Sequence, residues 1–408
     1  MKILLVNHYA GSPAHGMEYR PYYLAREWVK AGHEVTIAAA SFAHVRSRQP
    51  AVSEKFSTEM IDGIRYVWLK TPSYKGNGLS RIVNMLAFVG KLFACAGKLA
   101  KEGGYDAVIA SSTYPLDIYP CRKIARLCGA RLFFEVHDLW PLSPMELGGY
   151  SKWHPFIMIM QAAENYACRH ADGVISLLPL TLDHLTRHGM KKEKFHYIPN
   201  GVVVDDSLPP GPLPAEHEAV LNDMKGRGLG IVAYVGSHGL ANALHGFVEA
   251  AALSNNDRIA FVLVGDGPEK PGLIKQAAGL NTSNIYFLPP VPKDSVQALL
   301  ERCDLLYIGL QKQPLFRFGI SPNKLFDYML AGKPIIQAID AGNDPVKEAS
   351  CGISIEPEDP PALTEAIKSI LSWSPEERQQ AGLRGREYVI RHHDYRVLAA
   401  RFAEILGG

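Results

Sequence analysis

Residues 318–336 read FGISPNKLFDYMLAGKPII. Ser321 is a residue type that caps helices and Pro322 suits a first helical position, so a helix is predicted to begin there with its N-terminal dipole end exposed to a ligand. The β-rich run DLLYIGL (304–310) precedes this helix and KPIIQAI (333–339) follows it. Strand, helix and strand in that order make the repeating unit of a parallel sheet.

The same alternation extends in both directions. Upstream lie GIVAYVG (230–236), AFVLVGDG (260–267) and NIYFLP (284–289), and downstream GISIEP (352–357), each separated by helical patterns. An earlier series comprises KILLVN (2–7), VTIAAA (35–40), DAVIAS (106–111), RLFFEVH (131–137) and GVISL (173–177), with IRYVWL (64–69) as a further candidate strand. Helices are predicted near Pro21–Ala31 and over Leu79–Lys101. Between the two series, IPNGVVVDDSLPPGPLP (198–214) concentrates turn formers and reads as a linker. The chain therefore divides into an α/β domain over 1–205, a second over 206–385, and a final helix over 386–408 that packs back on the first, interrupted near Arg391–Tyr395.

A length of 408 residues exceeds what one core usually serves, which agrees with two domains. With 43 Lys and Arg against 41 Asp and Glu there is no general basic field, so nucleic acid is not an expected partner. The six cysteines form no C-x-x-C pair and read as free thiols of a reducing compartment. MKILLVNHYAG lacks a cleavage site and reads as a first strand, and no run of 18 apolar residues escapes an intervening charge. A cytoplasmic protein, peripheral on a membrane at most, is expected; oligomeric state leaves no signature.

Ligands of open parallel sheets sit beyond the carboxyl ends of the strands, so the residues after each apolar run are the candidates. After the first strand, HYAGSPAHGMEYR (8–20) contains Gly16, whose backbone suits a phosphate or sugar, although a plain surface loop fits equally. After RLFFEV come His137 and Asp138, with Glu135 on the same strand face as His137 and placed to orient it; a histidine there serves a sugar hydroxyl or a developing charge. In the second series, Gly236, Ser237 and His238 follow one strand, while Gly265 and Gly267 follow the next, where a tight turn without a ligand is the competing reading. In 318–336, Lys324 opposes the helix dipole, and an anion would resolve the conflict. Asp327 lies one turn from Asn323 and reaches toward sugar hydroxyls.

These motifs, taken together, resemble family 4 of the retaining glycosyltransferases, of the type that builds bacterial surface polysaccharides. RPYYLAREWVKAGHEVTI (20–37) looks like the family's first helix and second strand, and FEVHDLWP (134–141) like the strand bearing its active-site histidine. IPNGV (198–202) looks like the interdomain segment, VGDGPEK (264–270) like a nucleotide-side loop, and SPNKLFDYMLAGKP (321–334) like the donor helix. The resemblance implies a GT-B fold, two Rossmann-like domains facing a cleft. It also implies transfer with retention from a nucleotide sugar, expected to be a UDP-sugar such as a UDP-N-acetylhexosamine, to a lipid-linked or saccharide acceptor.

The resemblance makes His137, Glu135 and Asp138 the catalytic group. The donor would be held by Gly16, Gly236, Ser237, His238, Gly265, Gly267, Gly319, Ile320, Ser321, Pro322, Asn323, Lys324 and Asp327. The family's paired glutamates fall on Gly319 and Asp327, so the sugar-contacting carboxylate is missing and the ribose contact has a shorter arm. Ser237 stands where a phosphate-binding arginine is expected, and His245 where a lysine is. With no D-x-D triplet, no metal or other cofactor is expected, and Lys324 with backbone dipoles would carry the leaving group. An epimerase or hydrolase on the same scaffold, and a non-catalytic partner subunit, are the alternatives.

The stretch Arg81–Lys101 is amphipathic. Ile82, Met85, Leu86, Val89, Leu92, Phe93, Ala96 and Leu99 share one face, and Asn84, Lys91 and Lys98 recur on another. Phe88 and Cys95 border that polar stripe and are expected to be exposed. With Arg81 and Lys101 they would meet an anionic membrane, Arg20 belonging to the same acceptor side; a core helix with a solvated lysine stripe is the alternative.

Overall fold

The computed structural model describes every residue except 18, 77, 206–209 and 255. Part of the predicted linker, 206–209, thus lies outside the described residues. Two compact units emerge: Met1–Val203 with Phe318–Ile320 and Tyr395–Gly408, and Val204–Arg317 with Ser321–Asp394.

The first unit carries an eight-stranded sheet. Its strands are β1 (Lys2–Val6), β2 (Glu34–Ala40), β3 (Phe56–Ile61), β4 (Ile64–Leu69), β5 (Ala107–Ala110), β6 (Arg131–Val136), β7 (Gly173–Ser176) and β8 (Phe195–Tyr197). The order is β3-β4-β2-β1-β5-β6-β7-β8, parallel throughout except for the β3–β4 hairpin at one edge. Aromatic burial ties two of its helices together: Trp28 of helix Arg20–Lys30 meets Phe402 of helix Tyr395–Gly407 edge-on at 5.3 Å and donates its indole N–H to the Ala399 carbonyl. Each such side chain contributes about 1.5–3 kcal/mol of apolar burial.

The second unit has six parallel strands: β9 (Gly230–Val235), β10 (Ile259–Val264), β11 (Ile285–Leu288), β12 (Leu305–Gly309), β13 (Ile335–Ala338) and β14 (Gly352–Ile355). Their order, β11-β10-β9-β12-β13-β14, is the 3-2-1-4-5-6 arrangement of a Rossmann sheet, whose direction of winding reverses between β9 and β12. In the first unit the equivalent reversal falls between β1 and β5. These two points are where the fold opens strand ends to a ligand.

Three expectations need correction. The C-terminal segment changes unit at Asp394, between helices Pro375–His393 and Tyr395–Gly407, and not at 385. Phe326 stacks on His393 at 3.9 Å, and Gly382 and Gly385 let the helix approach Gly332 and Cys351 closely, which keeps it on the second unit to its last turn. Helix Leu79–Gly103 is long and apolar enough by composition to cross a membrane, yet it is the crossover between β4 and β5, with Met85, Phe88, Leu92, Ala96 and Leu99 buried. On that helix Phe88, expected to be exposed, is 0% exposed against His8, and Asn84 is equally buried, its amide donating to the Pro72 carbonyl. The apolar side chains left outside are Leu79, Val83, Leu86 and Phe93.

Candidate active site

In the first unit the strand ends gather a closed polar network. Pleating puts Glu135 and His137 on one face, and His137 Nε2 lies 3.1 Å from Glu135 Oε2. Ser111, immediately after β5, donates its hydroxyl to the same oxygen at 2.6 Å and sits 2.9 Å from His137 Nε2. Asn7, after β1, donates to the Ser111 carbonyl at 2.6 Å.

Beneath them lies Arg20, which opens helix Arg20–Lys30 and is only 2% exposed. Its Nε and Nη2 reach Glu135 Oε1 at 3.0 and 2.9 Å, and it also donates to the carbonyls of Ile198 and Pro199. Arg20 is therefore a buried positioning cation, not a residue of an acceptor or membrane surface. Burial by itself would raise the Glu135 carboxyl, but Arg20, His137 and Ser111 outweigh it and hold it at about 2. A carboxylate only accepts, so His137 carries a proton on Nε2 and donates it to this network.

The Asp138 carboxylate is engaged elsewhere. Its Oδ1 accepts from Leu139 N at 2.9 Å and Ser143 Oγ at 2.6 Å, closing the turn into helix Leu142–Glu146. Gly16 has φ +89°, with its N–H given to the Ser12 carbonyl at 2.8 Å, so it shapes the loop and does not aim a donor outward. One buried group had no sequence signal of its own: Asp117, 0% exposed, whose carboxyl burial pushes up to about 7.

In the second unit the ends of β9 and β10 touch. A Cβ on Gly265 would stand 2.0 Å from the Gly236 carbonyl oxygen, and one on Gly267 would stand 2.5 Å from the His238 carbonyl oxygen. Gly236 and Gly265 also have φ of +151° and +142°, so glycine is required here by both space and backbone. His238 is 0% exposed, with no hydrogen-bond partner at either ring nitrogen among the described residues. Burial first, then Lys270, lowers it to about 4, so the ring is neutral.

Lys324 rises into this corner from helix Asn323–Leu330. A Cβ on Gly236 would stand 2.7 Å from Lys324 Cε. The ammonium donates to the Tyr234 hydroxyl and to Asn242 Oδ1 at 3.0 Å, and lies 4.1 Å from the Tyr234 ring centre. Among the described residues no carboxylate pairs with it. Burial lowers the amine to about 7. Ser237 contributes its carbonyl, which accepts from Tyr234 and Asn242. Tyr234 and Asn242 escaped sequence reasoning because a strand tyrosine and a turn asparagine are ordinary in those places.

The helix begins one residue later than expected. Pro322 is the N-cap and Asn323 the first helical residue, and no side chain caps the start, so Ser321 is not the cap. Asp327 is ion-paired with Lys293 at 3.0 Å. Gly319 has φ +99°, a backbone that disfavours the carboxylate residue expected there, which accounts for the glycine. With Ile320, whose side chain is buried, it groups with the first unit. His245 is drawn off to Glu358 at 3.4 Å.

Comparison with known proteins agrees with this division. Residues 15–201 match the glycosyl transferase 4-like domain and residues 230–372 match glycosyl transferases group 1. The chain is 22% identical over 292 residues to WbjE of Pseudomonas aeruginosa, named as a glycosyltransferase, covering 70% of this chain and 71% of that one. It is 24% identical over 360 residues to WcaI of Escherichia coli K12, named as a colanic acid biosynthesis glycosyl transferase, covering 85% and 86%. Among solved structures, HepE of Anabaena in complex with UDP and glucose has the same fold, with a TM-score of 0.67 at 17% identity and complete coverage of both chains.

Proposed function

Because this chain belongs to the GT-B glycosyltransferases of family 4 that serve surface-polysaccharide biosynthesis, we propose that it moves a hexosyl or N-acetylhexosaminyl group from a UDP-sugar to a lipid-linked or saccharide acceptor, with retention at the anomeric carbon. The carrying observation is Lys324, a half-buried cation beside a glycine-lined strand end and an uncapped helix start, with no carboxylate pair among the described residues. Such a place suits a diphosphate, whose charge grows as the glycosyl bond breaks. Lys324 and the helix-start N–H groups would stabilise the departing UDP without a divalent ion. His137, held by Glu135, would contact the reacting sugar. The UDP complexes of HepE support uridine as the nucleoside.

Peripheral attachment to an anionic membrane belongs to the same reading. Its support is the exposed row Leu79, Val83, Leu86 and Phe93 on helix Leu79–Gly103, together with Lys91, Lys98 and Lys101. A cytoplasmic location is part of the same proposal.

The test is a thermal-shift panel of UDP, GDP, ADP and their sugars, followed by NMR of the product anomer. UDP species should raise the melting temperature most and the product should keep the donor's anomeric configuration. Inversion, or stabilisation by GDP or ADP alone, overturns the mechanism or the donor assignment respectively. Binding of UDP-sugars without turnover on any acceptor would favour a non-catalytic subunit, the reading that Gly319 suggests.

A further inference from the structure

The first unit holds a second group of ligating side chains that sugar transfer does not use. Helix Pro155–His170 supplies Glu164, and helix Leu182–Arg187 with the residue that ends it supplies His184 and His188. Histidines four apart share one helix face, and here that face turns to Glu164, with the two rings 4.5 Å apart. Glu164 is 1% and His184 8% exposed, so this is an interior cluster and not a surface coincidence.

The distances separate hydrogen bonding from ligation. His184 Nε2 lies 3.0 Å from Glu164 Oε1, which a hydrogen bond would explain. His188 Nε2 lies 3.9 Å from Glu164 Oε2, which is too long for one. One candidate ligand atom from each residue falls within 4.8 Å of the others. Two ligands of one tetrahedral ion, each about 2.0–2.1 Å from it, stand about 3.3 Å apart, a spacing that small side-chain adjustments within this group would reach.

The surroundings orient the ligands. Asn165 Oδ1, which only accepts, lies 2.8 Å from His188 Nδ1 and draws the ring proton there, so the lone pair of Nε2 faces Glu164. Gln161 lies 3.0 Å from the same Nδ1 but donates to Glu164 Oε2 at 2.7 Å and to Asn165 Oδ1 at 2.9 Å, fixing both. Metal-ligating histidines are characteristically held through the second ring nitrogen in this way.

We propose that Glu164, His184 and His188 bind one divalent ion of the zinc class, with water completing a tetrahedral shell, and that the ion clamps helix Pro155–His170 to helix Leu182–Arg187. Two imidazoles and a carboxylate favour Zn²⁺ over Mg²⁺ or Ca²⁺, which prefer all-oxygen shells. The site is structural and independent of the donor chemistry.

The test uses the full chain stripped with a chelator, titrated with Zn²⁺ by calorimetry and thermal shift, with Co²⁺ as a spectroscopic probe. One ion per chain should bind and raise the melting temperature, and Mg²⁺ should leave it unchanged. Asn165→Leu should weaken Zn²⁺ binding about 10–100-fold. His188→Gln, a change at a partly exposed position, should weaken it further while leaving the metal-free melting temperature and UDP affinity near the parent's. Equal Zn²⁺ affinity in parent and His188→Gln overturns the proposal. A thiolate-to-cobalt charge-transfer band overturns it as well, since the free cysteines would then hold the ion.

Discussion

Both units place a cation at their strand ends, but the two are treated differently. In the first, Arg20 lies 2.9 Å from the Glu135 carboxylate, so cation and anion meet each other, and Ser111 and His137 complete the network. In the second, Lys324 meets, among the described residues, a phenol and an amide and no carboxylate, beside a neutral His238. A satisfied network fixes the orientation of one ring, His137, as chemistry requires. An unpaired ammonium at a glycine-lined corner is a place for an anion. Under the proposed function, the first unit would supply positioning and catalysis and the second phosphate capture.

Removing the ring that the first network serves should have the largest effect. His137→Ala is expected to lower turnover on the order of 10²–10⁴-fold, with much less change in donor affinity. Single-turnover kinetics alongside calorimetry would measure both, and parental turnover would break the assignment.

Next in size is Arg20→Met, which leaves Glu135 buried without its cation and should cost about 3–5 kcal/mol of stability. The Glu135 carboxyl lies below its unfolded value, so its contribution is present above the ordinary carboxylate range and is lost as pH falls toward about 2. Without Arg20, burial dominates and acid unfolding should begin at higher pH. Urea unfolding at several pH values would show this; an unchanged acid limb would mean Arg20 does not hold Glu135.

How much of this contrast was legible in the sequence depended on distance along the chain. The strands of both Rossmann sheets could be read because they are buried runs of β-branched residues. Those overlooked, β3 and β8, are an edge strand with mostly exposed or half-buried side chains and a run of three residues. Glu135 and His137 were visible from strand alternation. Arg20 was misplaced because its partner lies 115 residues away and nothing local marks the pair. Phe88 was misjudged because a helical wheel does not say how wide the buried face is, and here helix Leu79–Gly103 buries it against His8.

Lys324→Met should weaken UDP binding by about 1.5–3 kcal/mol, and UMP binding by less, because the loss falls on the diphosphate. Equal UDP affinity in variant and parent would remove the unpaired cation from the phosphate site. The smallest effect belongs to the first unit's outer surface: changing Lys91, Lys98 and Lys101 to Gln should reduce salt-sensitive binding to anionic vesicles by about 1 kcal/mol per residue at low salt. Co-sedimentation indifferent to both salt and these changes would reject membrane attachment.

The most direct test of the unpaired cation is the proton balance of UDP binding. Burial depresses Lys324 to about 7, so above that pH the free protein holds the amine largely neutral, and stability rises with pH from there toward the ordinary lysine range. A bound diphosphate restores the charge. Calorimetry at pH 8 in buffers of different ionisation heat should therefore show net proton uptake on UDP binding, because the phosphates themselves, with a second pKa of about 6, are already ionised. Lys324→Met should show none. Binding of UDP by the parent without proton uptake at pH 8 would contradict the account.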